Sequence, residues 1–481
     1  MRQPASDRAL YYRQLRETVH NVFAPELTSA HARDAVGLVE RILGEFIVEE
    51  EWSDALSAEF GAELSALLGR ADDGTVVSAS RFAQLREEAA EVAGRSADDE
   101  GGRTLRAALA DAERRFFESV EAHRAVTLGE DLEPAGASPS ITRCSVNEAA
   151  LSAYLRDKLP ASPSLAVRSV ELLPGGRSKE TLLVSLDGTT ELPPQVIVRK
   201  DRPVGLLQTR AADEFAVLAA VFGHGGVPVP EPFFAEEKDH GLGEGTFLVM
   251  ARVPGAKAGE FFPDLAAPTE HRAEIARQLA GALAHLHSIP LDRLRHTGLD
   301  LHTSLTPDSL SGAVNGLVAR IGELTGSPSV SVPLAHRWLL HHVDDVAPCA
   351  RVCLLQQDFG FHNMLVEGDR VTALVDWEGA TIGPPARELA AAYAPITALV
   401  DWDVFVQAYL AAGGPEEAVD ERAVRYYRVF VALGGLMASR MGGHLFRTGA
   451  KRDLLTAHSG LDSYFRCQRN LARALHDAGV T

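Results

Sequence analysis

Apolar residues recur at helical spacing through the first 128 positions of this 481-residue chain. Leu15, Val19, Val22 and Phe23 form one stripe, stopped by Pro25, which cannot continue a helix. Val36, Val39, Leu43, Phe46 and Ile47 form a second stripe. Leu56, Phe60, Leu64, Leu67 and Leu68 form a third, closed by Gly69. A fourth runs from Phe82 to Val92 and a fifth from Leu105 to Val120. Five one-faced helices predict a small helical bundle over residues 1–128. The next stretch, 129–143, mixes charge, Pro, Gly and Ser, as a linker does.

From residue 144 the pattern changes. Asn147 is placed to cap a helix ending at Lys158. Short apolar runs at Leu165 to Leu173, Leu182 to Leu186, Val196 to Lys200 and Thr246 to Met250 predict strands, with a helix at about 209–222 between the last two. After residue 253 helical spacing returns. Ile275 to His287 and Leu334 to Val343 read as helices, with a less regular stretch from Pro290 to Val332 between them. Three more helices are expected at about 401–412, 418–440 and 456–478. The divisions are thus 144–252, strand-rich, and 253–481, mainly helical.

Chemistry concentrates between these last helices. Val352 to Leu355 is an apolar run long enough for a buried strand, and it ends near Asp358 on a Gly-containing loop. Asn363 follows five residues later. Met364 to Val366 and Val371 to Val375 flank Glu367-Gly368-Asp369-Arg370 and predict a hairpin that delivers Asp376. Two carboxylates and an amide at neighbouring strand ends suit phosphoryl transfer. One Asp can orient a hydroxyl and take its proton, while an Asn and a second Asp supply oxygen ligands for Mg2+.

This segment resembles the aminoglycoside phosphotransferase and choline-kinase-like family, in its acyl-CoA-dehydrogenase-linked branch. The family's mark is His-Gly-Asp-x-x-x-x-Asn followed by a strand ending in Asp-Trp. Here the matching residues are Gln356-Gln357-Asp358 through Asn363, then Val375-Asp376-Trp377-Glu378, then Gly383 to Ala390. The chain departs from the pattern at Gln356 and Gln357, which stand for the family's His and Gly. The resemblance implies an α+β, two-lobed, protein-kinase-like fold preceded by an N-terminal all-helical domain. It implies Asp358 as the catalytic residue and Asn363 and Asp376 as metal ligands. Earlier in the chain, Gly175, Gly176 and Ser178 sit in a Gly-rich turn that would fold over nucleotide phosphates. Arg199 falls at the phosphate-clamp position, with Glu214 as its acid partner. Met250 ends the strand before a hinge, Ala251 to Gly255, that includes Arg252 and whose backbone could bind adenine. The implied activity is an ATP- and Mg2+-dependent transfer of the γ-phosphate to a small-molecule hydroxyl, with a hydroxyacyl-coenzyme A as the favoured acceptor. An aminoglycoside or macrolide acceptor is one alternative; a pseudokinase that binds ligand without turnover, suggested by Gln356-Gln357, is another.

Composition narrows the partners. The net charge of −19 argues against nucleic acid or an anionic membrane as the main partner. The four cysteines show no paired or zinc-like spacing and read as reduced thiols. The polar start, and apolar runs short of the roughly 18 residues needed to span a bilayer, lead to the expectation of a cytoplasmic protein. The helical region of residues 1–128 is expected to pack or to form a homodimer, with a wall or lid over the acceptor site as the alternative.

Overall fold

The computed structural model describes residues 7–27, 30–70, 77, 79–128, 147–173, 178–201, 209–237, 246–259, 269–301, 305–324, 328–346, 351–450 and 454–480. The chain forms two compact units. One comprises Met1–Ser140, Thr306–Ala347 and Arg428–Thr481, the other Ile141–Leu305 and Pro348–Tyr427. The compact units do not follow the sequence division at residue 128, because two later segments cluster with the N-terminal helices.

The reason lies in the packing of the first unit. Its N-terminal part is helical, as expected, but the second and third predicted helices are one continuous helix, Ala30–Leu67. Nothing between Ile47 and Leu56 is Gly or Pro, so the helix has no cause to stop. It packs with Ala79–Arg95 and Glu100–Leu128 around Leu64, Leu85, Leu109 and Phe117, all buried. Phe60 stacks on Phe116 at 4.7 Å between ring centroids. The stretch read as irregular holds a helix, Pro307–Glu323, closed at its start by a reciprocal cap between Thr306 and Ser309.

Glu113, on Glu100–Leu128, is fully buried. Its carboxylate accepts the backbone N–H of Val330 at 2.8 Å and of Ser331 at 2.7 Å, and the Ser331 hydroxyl at 2.5 Å. Val330 gives no side-chain cap to the helix Ser331–His341, so Glu113 satisfies those N–H groups from another helix. The Ser329 hydroxyl lies 2.8 Å from Oε1 of Gln468, on the helix Leu454–Asp477, and 3.3 Å from the Glu113 carboxylate, and has one proton to share between them. Glu113 thus ties the N-terminal helices to the segment of Ser331–His341, and Ser329 extends the contact to the helix Leu454–Asp477.

The second unit carries the sheet. Strands β1 (Ala166–Leu172), β2 (Lys179–Asp187), β3 (Gln195–Asp201), β4 (Pro232–Glu236) and β5 (Phe247–Ala251) form an antiparallel sheet of order β1-β2-β3-β5-β4. Strand alternation sorts the residues by face. Val196, Val198, Phe247 and Val249 join one apolar cluster, and Ile197, Leu248 and Met250 the other. Arg199 therefore shares the Ile197 face, toward the helix Ala211–His224. Lys200 lies opposite, as its place in the strand predicts.

Beyond the short strand β6 (Ala256–Lys257), the helix Thr269–Ser288 buries Leu279, Leu283 and Leu286. His287 is also buried, with Nδ1 2.6 Å from the Tyr409 hydroxyl, a packing role and not a ligand. Strand β7 (Cys353–Leu355) pairs with β10 (Thr381–Gly383). Strands β8 (Met364–Glu367) and β9 (Arg370–Leu374) make the predicted hairpin, with Gly368 at φ +65° in its turn. The helix Glu421–Arg447 has the length and mean hydropathy of a membrane span. Its buried Val429, Leu433 and Leu436 are equally those of a core helix.

Glu113→Ala would leave several buried donors without an acceptor and is expected to lower the stability of the full chain by roughly 3 kcal/mol. Glu113→Gln, which keeps an acceptor oxygen, is expected to lose less. Urea unfolding followed by helical circular dichroism reads the difference; an unchanged midpoint in Glu113→Ala would remove the cap from the account.

Candidate functional site

The site is built where β7 and the hairpin end side by side. Leaving β7, the chain passes through Gln357 at φ +73° and reaches Asp358; leaving β9, it reaches Asp376 at φ +65°. Both are left-handed conformations that cost a non-Gly residue about 1 kcal/mol or more unless surrounding contacts hold them. Those contacts are present. Buried Glu388 accepts the backbone N–H of Gln356 at 2.7 Å and of Gln357 at 3.3 Å. The Gln356 amide nitrogen donates to the carbonyls of Val375 and Asp376, each at 3.0 Å. Gln356 is therefore a buried bridge between the Asp358 loop and the Asp376 backbone.

Asp358 and Asn363 are brought together as predicted. The Asn363 amide nitrogen donates to the Asp358 carbonyl at 3.0 Å and to its Oδ2 at 2.8 Å, which turns the amide oxygen the other way. Asp376 is tied to the same loop through the neighbouring N–H of Val375, which donates to the Asn363 carbonyl at 2.9 Å. Among the described residues no three His, Cys, Asp or Glu side chains gather as a metal cluster. An Asn and an Asp still fit Mg2+, which takes one or two protein carboxylates and completes its shell with phosphates and water.

Arg199 sits at the centre. Its Nη2 donates to Asp376 Oδ1 at 3.1 Å, and its Nε lies 3.3 Å from Glu214 Oε2 in an ion pair. Both Arg199 and Glu214 are buried. Burial opposes the Arg199 charge, but Asp376 and Glu214 overcome it and hold the guanidinium ionised. Burial pushes the Glu214 carboxyl up while Arg199 pulls it down. Glu214 Oε1 also accepts the Trp377 N–H at 3.3 Å, so the strand, the helix and the Asp376 loop meet here.

The remaining nucleotide-site expectations divide. Gly175 and Gly176 lie outside the described residues. Ser178 is buried and hydrogen-bonds Glu378. Met250 is buried in β5, while Arg252 is exposed and donates to Gln195 at 2.8 Å.

Sequence reasoning missed Lys179 and Glu378. Lys179 is buried, with its Nζ 2.6 Å from the Thr209 carbonyl, 3.0 Å from Asp201 Oδ1 and 3.6 Å from Glu378 Oε2. It joins β2 to the end of β3 and to the residues entering the helix of Glu214. The available signal was scarcity, since Lys179 is one of only six lysines.

Burial raises the Glu388 carboxyl from 4.5 to about 7, against the two backbone N–H groups that lower it. An acid with a raised folded pKa holds its proton more tightly folded than unfolded. Its contribution to stability therefore falls as pH rises from about 4.5 to about 7, by on the order of 3 kcal/mol, and is flat above. Urea midpoints measured from pH 4.5 to 8 are expected to fall less steeply in Glu388→Gln than in the wild type; equal slopes would contradict this burial.

Comparison with known proteins bears on the family and the fold. Residues 169–427 match APH, the phosphotransferase enzyme family. The chain is 30% identical over 254 residues to acyl-CoA dehydrogenase family member 11 of Rattus norvegicus, and 28% identical over 257 residues to the same protein of Mus musculus. Each match covers 50% of this chain and 30% of the relative. Among solved structures, a "putative aminoglycoside phosphotransferase" from Ralstonia eutropha superposes with a TM-score of 0.51 at 16% identity, over 68% of this chain and 98% of that one. That likeness shows the kinase-like fold. Because the family match spans more than half of its length, the chain belongs to the phosphotransferase enzyme family APH.

Proposed function

We propose that the chain is an ATP- and Mg2+-dependent phosphotransferase whose acceptor is a hydroxyl of a small molecule. The observation that carries this reading is the joined set Asp358, Asn363 and Asp376, with Arg199 bridging Asp376 and Glu214. Asp358 has a side chain about half exposed (49%), as a base must be to meet an acceptor. It orients the hydroxyl and takes its proton as the new O–P bond forms, while the bond from the γ-phosphorus to the bridging oxygen breaks and ADP leaves. Asn363 and Asp376 would hold the metal, whose charge offsets that of the phosphates when bound. Arg199 is the cation for the nucleotide phosphates and is kept in place by Glu214.

The favoured acceptor is a hydroxyacyl-coenzyme A. Support comes from the similarity to acyl-CoA dehydrogenase family member 11, whose name ties it to acyl thioesters. Turnover is preferred here to the pseudokinase alternative, with support from the bridge that Gln356 makes to the Val375 and Asp376 carbonyls.

ATP consumption with Mg2+ is expected in the presence of a hydroxyacyl-coenzyme A and absent with aminoglycosides and macrolides. Asp358→Ala is expected to lower the rate by at least about 100-fold, the usual worth of a positioned base. Transfer that survives in Asp358→Ala would overturn the assignment of the base. Turnover on an antibiotic instead would keep the reaction and replace the acceptor.

A further inference from the structure

We propose that His362 is a positioning residue for the Asp358 base, an inference that rests on the phosphotransferase reading. Its ring Nε2 lies 3.3 Å from Asp358 Oδ2, the same oxygen that accepts the Asn363 amide at 2.8 Å. The short 3-10 turn Phe361–Asn363 sets this up, closed by the Asn363 N–H to the Gly360 carbonyl at 3.0 Å. Four residues separate His362 from Asp358, so the turn brings the ring back over the loop.

Gly360 makes room for the ring. A Cβ at that position would lie 2.7 Å from both Cε1 and Nδ1 of His362, closer than packed atoms approach. The φ of Gly360 is −147°, ordinary extended backbone, so it is space and not conformation that calls for glycine here. The ring is thus seated between Gly360 and Asp358, with a side chain 19% exposed.

The chemistry sets the direction of this contact. An ionised carboxylate has no proton to give, so the contact needs a proton on His362 Nε2. His362 is then the donor to Asp358. Asp358 is about half exposed (49%) and would otherwise sample several rotamers. Two donors on one oxygen fix the plane of the carboxylate and aim it at the acceptor hydroxyl. A misplacement of about 1 Å at such a group costs up to about 100-fold in rate. The effect falls on the chemical step and not on nucleotide binding.

Two measurements on the full chain test this. Steady-state turnover of ATP is read with 3-hydroxybutyryl-coenzyme A as the acceptor probe. His362→Leu is expected to lower kcat by about 10-fold or more with the KM for ATP within about twofold. His362→Gln, which restores an N–H donor, is expected to recover most of that loss, and Gly360→Ala is expected to resemble His362→Leu. Independently of turnover, NMR of 15N-histidine-labelled protein is expected to show His362 protonated at Nε2, with its signal shifting in Asp358→Ala. Wild-type kcat in His362→Leu, beside an active wild type, overturns the inference and leaves the phosphotransferase reading standing. A wild type that turns over no acceptor sinks that reading instead, and the NMR signal then decides the contact alone: protonation at Nδ1 overturns it, and protonation at Nε2 that responds to Asp358→Ala upholds it.

Discussion

A buried guanidinium must have carboxylates around it, and the second unit is arranged to supply them to Arg199. Burying the cation unpaired would cost several kcal/mol, so its partners are structural requirements as well as chemical groups. Glu214 comes from the helix Ala211–His224 and Asp376 from the loop after β9. The strand, the helix and the loop therefore cannot shift independently. Lys179 repeats the device one strand away, holding Asp201 and the Thr209 carbonyl that lead into the same helix. In this structure Arg199 shares Asp376, so a metal bound with nucleotide must draw on a carboxylate that already has a partner.

The loops that carry Asp358 and Asp376 hold strained backbone in common. Gln357 and Asp376 are the two non-Gly residues at positive φ among the described residues. Glu388 accepts the N–H of Gln357, and the Gln356 amide donates to the carbonyl of Asp376. The Gln356 amide nitrogen donates to two carbonyls at once, at a position where the family pattern has His.

Much of this was legible in the sequence. The hairpin after Asn363 was legible because Gly368 sits between two apolar runs, and the opposite faces of Arg199 and Lys200 because strands alternate. Asp358, Asn363 and Asp376 stood out because their spacing is specific. The grouping of the first unit was not legible, because Glu113 pairs with positions more than 200 residues away and looks like any acid on an exposed helix face. The single helix Ala30–Leu67 was hidden by a shift in its apolar stripe. The role of His362 was not legible, since a side chain four places from Asp358 is brought onto it by the turn the structure shows. Lys179 was overlooked because its partners come from three separate segments.

The central claim is that Asp376, positioned by Arg199 and Gln356, belongs to a nucleotide-dependent metal site. The most direct measurement is electron paramagnetic resonance of Mn2+, standing in for Mg2+, titrated into the full chain with and without ADP. The account predicts Mn2+ held by the protein when ADP is present and lost in Asp376→Ala with ADP at saturation. Mn2+ held equally well by Asp376→Ala would contradict it.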